Sequence, residues 1–193
     1  MASGLEPTPA GLKVWEAASS LFYRHGIRAV GVAEISELSG VAKTNLYRNF
    51  RSKDGLVIAY LDEQARAGRQ ICKDALTSHP GDPKAQLRYI IRETAKAIGS
   101  PGYRGCPLAN AAIEFPDRDH PVRQKVDELK IAFLENLNNI AAQMNIRKPC
   151  ELAYAIMMLL EGASCSAQIF SAEKSANAAI EAADRVILSY DQG

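Results

Sequence analysis

Apolar residues recur along this chain at spacings of three and four, and no stretch sustains the two-residue alternation of a half-buried strand. The pattern predicts an all-α protein. A first helix begins after Thr8, whose hydroxyl can accept from the free first-turn amides, with Pro9 where a missing N–H costs nothing. It carries Leu12, Trp15, Ala18, Leu21 and Phe22 on one face, and Gly26 suits a left-handed cap at its end. Two short helices follow, Val32–Ser39 and Lys43–Phe50, separated by Gly40, Val41 and Ala42. At about two turns each they are too short to persist alone in water, so packing must hold them, through Val32, Ile35, Leu38, Val41, Leu46 and Phe50. A longer helix, capped by Ser52, runs over about 52–77 through Leu56, Tyr60 and Ala67. Pro80, Gly81 and Pro83 break the pattern, and beyond them the spacing predicts helices over 84–98, 106–114, 121–144, 149–170 and 172–190, about nine in all. Residues 100–104 and 115–120 read as loops.

Composition adds bounds. The 193 residues are 47% hydrophobic and 23% charged, which suits one or two globular units and excludes disorder or a fibrous repeat as the main architecture. The first eleven residues lack the basic and apolar segments of a signal peptide, and no run of about 18 apolar residues occurs, so a soluble, cytoplasmic protein is expected. Cys72, Cys106, Cys150 and Cys165 are widely spaced, which indicates neither a disulfide framework nor a zinc site. Asp117, Asp119 and His120 read as a solvated turn, and no metal or cofactor is implied. The net charge of +1 looks unfriendly to a nucleic-acid partner until the charges are located. Residues 42–53 hold Lys43, Arg48, Arg51 and Lys53 and no acid, a basic head on a neutral body.

Residues 32–50 have the grammar of a helix-turn-helix: a two-turn helix, a glycine turn, and a second helix whose buried Leu46 and Phe50 leave Lys43, Thr44, Asn45, Arg48 and Asn49 facing outward. Such geometry also occurs in ordinary bundles. The run Gly40-Val41-Ala42-Lys43-Thr44-Asn45-Leu46-Tyr47-Arg48-Asn49-Phe50-Arg51-Ser52-Lys53-Asp54-Gly55-Leu56 resembles the signature of the tetracycline-repressor (TetR) family of transcription regulators. With Ala17, Phe22, Gly26, Val32, Ile35 and Ser39 the resemblance covers roughly the first 60 residues. Residues 104–110, Arg-Gly-Cys-Pro-Leu-Ala-Asn, also resemble a motif in one branch of the family. Two departures stand out: Ala42 occupies a position where many members carry a capping Ser or Thr, and Asn49 replaces the commoner His.

The resemblance implies a helix-turn-helix DNA-binding domain over residues 1–55, linked through the helix at 52–78 to an effector-binding and dimerisation domain over 56–193. Thr44 and Asn45 become candidates for base contacts, since Asn can pair with adenine through two hydrogen bonds and a Thr methyl can touch thymine. Lys43, Tyr47 and Lys53 become candidates for phosphate contacts, which position the helix without reading sequence. Arg48 is a further DNA-contact candidate, with plain surface charge as the alternative for it and for Arg51. Operator DNA, a small-molecule effector and a second copy of the chain are the implied partners, and a repressor released by its effector is the implied function.

The second half yields softer expectations. The helix at 149–170 is apolar on more than one side, so one side can serve the protomer and the other a partner. Leu159, Ala163 and Ala167, with Ala179, Ala183 and Val186 of the last helix, are candidates for a four-helix dimer interface. Tyr103, Cys106, Asn110, Phe115, Phe133, Met157, Met158 and Glu161 are candidates to line an effector pocket, against the alternative that most are ordinary core. Cys106 reads either as a reactive thiol, near a helix start and Arg104, or as a small cysteine in a tight turn. An enzyme would need an acid/base or nucleophile constellation, and none is evident; a helical carrier that ignores DNA is the other alternative.

Overall fold

The computed structural model describes residues 8–191, and the residues before Thr8, including most of the segment read for a leader, lie outside that range. All regular elements among the described residues are helical: α1 Pro9–His25, α2 Val32–Ser39, α3 Lys43–Phe50, α4 Lys53–Ser78, α5 Pro83–Ile98, α6 Pro107–Glu114, α7 Pro121–Ala141, α8 Pro149–Ile169 and α9 Ala172–Asp191. A single 3-10 turn, Ala142–Met144, follows α7. The helix starts obey the expected chemistry. Thr8 accepts from the Gly11 N–H at 3.1 Å with Pro9 in the first turn, and Asp82 accepts from the Ala85 N–H at 2.9 Å with Pro83 behind it.

The chain forms two compact units. The first runs to Ala65 and regains the chain at Pro107–Leu129; the second comprises Arg66–Cys106 and the chain from Lys130 onward. The first unit is thus discontinuous in sequence.

In the first unit α1, α2 and α3 pack on one another around Val14, Ala18, Phe22, Ile35 and Leu46, all essentially buried. Burying each large apolar side chain is worth about 1.5–3 kcal/mol, which lets two eight-residue helices hold their shape. Two expected contacts are absent: Leu12 is 43% exposed and Leu38 is 59% exposed. The inner face of α1 is rotated toward Val14 and Ala17, the positions that keep i, i+3, i+4 register with Ala18 and Leu21. Ala67 of α4 is exposed as well. Gly26 closes α1 with φ +88° and ψ 155°, a glycine-only conformation rather than the left-handed helical cap expected.

In the second unit α5, α8 and α9 pack together, and Leu87, Ile90, Leu137, Leu152, Ile156 and Ile187 form a fully buried core with parts of α4 and α7. A smaller cluster of Ala95, Ile98, Ala163, Ala167, Ala176 and Ala179 lets α5, α8 and α9 approach closely. Among the described helices α8 alone is long and apolar enough to cross a membrane by composition; its inner side, Leu152, Ala153, Ile156 and Leu160, is spent in this core.

Candidate nucleic-acid interface

The turn before α3 is built from side-chain hydroxyls. Ser36 donates to the Val41 carbonyl at 2.6 Å, Ser39 donates to the Ser36 carbonyl at 3.3 Å, and the Val41 N–H donates to Ser39 at 3.3 Å. Gly40 sits at φ +64° and ψ 19°, the left-handed conformation that only glycine adopts without cost. Leu46, 1% exposed, then fixes which side of α3 faces inward. Lys43, Thr44, Tyr47 and Arg48 are left exposed and Asn45 half-buried. Ala42 heads the helix with no side-chain cap, as its methyl side chain requires.

Two asparagines organise this face. Arg48 Nη2 donates to Asn45 Oδ1 at 2.8 Å, so Arg48 is a neighbour that orients Asn45 as well as a surface charge. An amide oxygen has a second lone pair, so Asn45 keeps the capacity to accept from a base while its NH2 donates. Asn49 donates to the Asn45 carbonyl at 2.7 Å and accepts from the Thr8 hydroxyl at 3.0 Å, tying α3 to the start of α1. A Cβ at Gly11 would lie 2.5 Å from that Asn49 oxygen, so the contact needs glycine there.

The corner after α3 is equally tight. Arg51 adopts φ +64°, and a Cβ at Gly55 would lie 2.1 Å from the Phe50 carbonyl. Ser52 accepts from the Gly55 N–H at 3.0 Å, the expected cap of α4. Lys53, in the first turn of α4, is half-buried. Burial lowers its pKa below the usual lysine value against the opposing charges of Asp54 and Glu114, with Arg28 adding to the fall.

Sequence reasoning missed Glu114. At the end of α6 its carboxylate accepts the Ile27 N–H at 3.0 Å and the Arg28 N–H at 2.6 Å, while Arg28 donates back to the Glu114 carbonyl at 3.2 Å and lies 5.7 Å over the Phe115 ring. The partners stand 87 positions apart, and nothing local marks Glu114 as a receiver of backbone amides. In the loop that follows, His120 Nδ1 accepts from the Val122 N–H at 3.2 Å and Asp117 accepts from the Asp119 N–H at 3.0 Å, so these groups shape the start of α7.

A basic, polar helix held by a buried leucine behind a hydroxyl-rich turn is a DNA-reading geometry. The model of the tetR family of bacterial regulatory proteins matches residues 14–60, the whole of this head beyond the first turns of α1, and the tetracyclin repressor-like C-terminal domain matches residues 83–183. The chain belongs to the TetR family. It is a DNA-binding transcriptional regulator, and the family is not one of enzymes. A TetR-family regulator from Streptomyces coelicolor, SCO4454, has the same fold with a TM-score of 0.90 and 31% identity over 94% of this chain and 96% of that one. The regulator QacR of Staphylococcus aureus is 25% identical over 138 residues, 69% of this chain and 70% of its own. The repressor NemR of Escherichia coli is 24% identical over 157 residues, 77% of this chain and 79% of its own.

Within this TetR-family chain the other candidate residues fall into three groups. Tyr103, Cys106 and Glu161 come together in the second unit: the Tyr103 hydroxyl lies 2.6 Å from Ser164 Oγ, which also accepts the Cys106 N–H at 3.1 Å, and Lys130 lies 3.3 Å from the Cys106 sulfur while pairing with Glu161. Lys130 is the member of this group that the sequence did not single out. Phe133 and Met157 pack against the second unit's core, whereas Asn110 and the buried Phe115 belong to the first unit and Met158 is 57% exposed. Of the dimer candidates, Ala163, Ala167, Ala179 and Ala183 are buried within the protomer, and Leu159 and Val186 are half-buried against its core. The outer side of α8 carries Tyr154, Met158, Gly162, Cys165 and Ile169 instead, all exposed, with Leu188 of α9 exposed too.

Proposed function

We propose that this chain is a repressor that binds a pseudo-palindromic operator as a homodimer and leaves it when a small molecule binds the C-terminal domain. The observation that carries the reading is the outer face of α3, where Lys43, Thr44, Tyr47 and Arg48 stand exposed around the half-buried Asn45 on a head fixed from behind by Leu46. Thr44 and Asn45 read bases; Lys43, Tyr47 and Lys53 hold phosphates; Arg48 orients Asn45. The repressor NemR among the relatives favours negative control. The exposed stripe of α8, from Tyr154 through Met158 to Ile169, with Leu188 of α9, supports pairing with a second copy, since an apolar helix face of this extent is costly in water. A two-fold dimer sets its half-sites about 34–36 Å apart, or a multiple of that. Such a protein works in the cytoplasm, where DNA and effector meet.

The test is a fluorescence-anisotropy titration on operator DNA at several salt concentrations. Lys43→Ala and Tyr47→Phe each lower affinity almost uniformly across sequences, and Lys43→Ala reduces the salt slope by about 1 per half-site. Thr44→Ala instead relaxes preference at one base pair, for about 1–3 kcal/mol. A helical carrier without DNA function would be indifferent to all three.

A further inference from the structure

Gly11 is the third residue of α1, with its backbone in ordinary α-helix, so glycine is not there for its conformational freedom. Inside a helix glycine is a poorer choice than alanine, because its backbone loses more entropy on folding. What the position needs is space. A Cβ on Gly11 would lie 2.5 Å from Oδ1, 2.8 Å from Cγ and 3.4 Å from Cβ of Asn49, so the Asn49 side chain lodges against bare backbone. Both ends of the lodged amide are bonded. The Gly11 N–H donates to the Thr8 hydroxyl at 3.1 Å, that hydroxyl donates to Asn49 Oδ1 at 3.0 Å, and Asn49 Nδ2 donates to the Asn45 carbonyl at 2.7 Å. The chain of bonds runs in one sense from the start of α1 to the backbone of Asn45. It also fixes the amide's orientation, since a flipped Asn49 would set its oxygen against the Asn45 carbonyl.

α3 has few other constraints on its roll. It is eight residues long, Ala42 gives it no side-chain cap, and Leu46 is its one buried residue. An anchor behind a short helix sets its distance from the head more firmly than its rotation about its own axis. Arg48 orients the Asn45 side chain but rides on the same helix, so it cannot fix Asn45 relative to α1. Reading a base through two hydrogen bonds requires the side chain to be held within about 0.5 Å and 10–20° of its working geometry. We infer that Gly11, Thr8 and Asn49 are positioning residues for base recognition: without touching DNA they set the roll of α3, and so the preference at the base pair that Asn45 reads. This rests on the assignment of Asn45 to base reading above. The consequence is a specificity determinant on α1, where a substitution that favours the helix weakens the reading of sequence.

The experiment takes the duplex that the full-length wild-type chain enriches from a random pool and compares its Kd with that of each single-base-pair variant. Gly11→Ala is expected to lower discrimination at one base pair per half-site by about tenfold, within the range a two-bond base contact supplies. Affinity for unrelated DNA stays as it was, because Lys43, Tyr47 and Lys53 remain, and the denaturant midpoint does not fall. Asn49→Ala is expected to lose discrimination at the same base pair by a similar factor, whereas Thr8→Ser, which keeps the hydroxyl, retains the wild-type preference. The double variant decides the route. With the amide gone, a Cβ at residue 11 meets only the Cβ at residue 49, so Gly11→Ala adds nothing to Asn49→Ala. Losses that multiply in the double variant overturn the inference, as does a Gly11→Ala protein with wild-type preference, while DNA reading itself stands. A Gly11→Ala protein with a lowered midpoint and equally weakened binding to every duplex overturns it too, because that is a folding defect. A wild-type chain that enriches no sequence removes the base-reading assignment and the inference with it.

Discussion

Ala42 shows how one side chain sets the quality of the reading helix. Its methyl group leaves the first-turn amides of α3 without a side-chain cap, in a helix of only eight residues. Ala42→Ser supplies the missing acceptor and raises stability by about 1 kcal/mol, read as a higher denaturant midpoint at unchanged m. The same hydroxyl stands at a helix start where a phosphate can dock, so DNA affinity rises alongside. Asn49 makes the opposite point. As a departure from the family pattern it looks like a loss, yet its bonds to Thr8 and to the Asn45 carbonyl tie α3 to α1.

At the scale of elements, boundaries follow from local chemistry and faces do not. α2 and α3 lie where the glycine turn and the polar-apolar spacing put them, because Gly40, Ser36 and Ser39 act within five residues of one another. The starts of α1, α5, α7 and α8 are marked by prolines for the same reason. Which side of a helix turns inward depends on partners far along the chain. Leu12 and Leu38 fit the apolar pattern but meet no neighbour that buries them, and the alanines of α8 and α9 that suited a partner helix pack against their own chain. A helix apolar on two sides does not say which side is for itself. Glu114 is the extreme case, invisible from its own segment although it binds the α1–α2 turn. Glu114→Gln sets an NH2 donor against one of two N–H groups and lowers stability by about 1–3 kcal/mol, measured by urea unfolding. A change below a few tenths of a kcal/mol would mean that the turn holds without it.

For the whole molecule, net charge near zero conceals a local imbalance, with four basic residues and no acid over 42–53 while both signs are distributed along the rest of the chain. Its stability also carries a pH signature from the core. Burial pushes the Cys72 thiol from 9.0 up to about 11, so above pH 9 the unfolded chain releases a proton that the folded chain retains. Stability from this group is therefore constant below pH 9 and falls between 9 and about 11, by at most about 3 kcal/mol. Replacing Cys72 with Ala flattens that part of the stability-pH curve, a comparison made by urea titration at each pH.

The central claim is that two copies of the α3 face read a two-fold DNA site. It is tested most directly by selecting duplexes from a random pool with the purified full-length chain and sequencing what is retained. The account predicts convergence on an inverted repeat with half-sites about one helical turn, or a multiple of it, apart, and loss of that enrichment in the Lys43→Ala, Tyr47→Ala double variant. A pool that stays random at moderate salt, or an enrichment that survives the double variant, would contradict it.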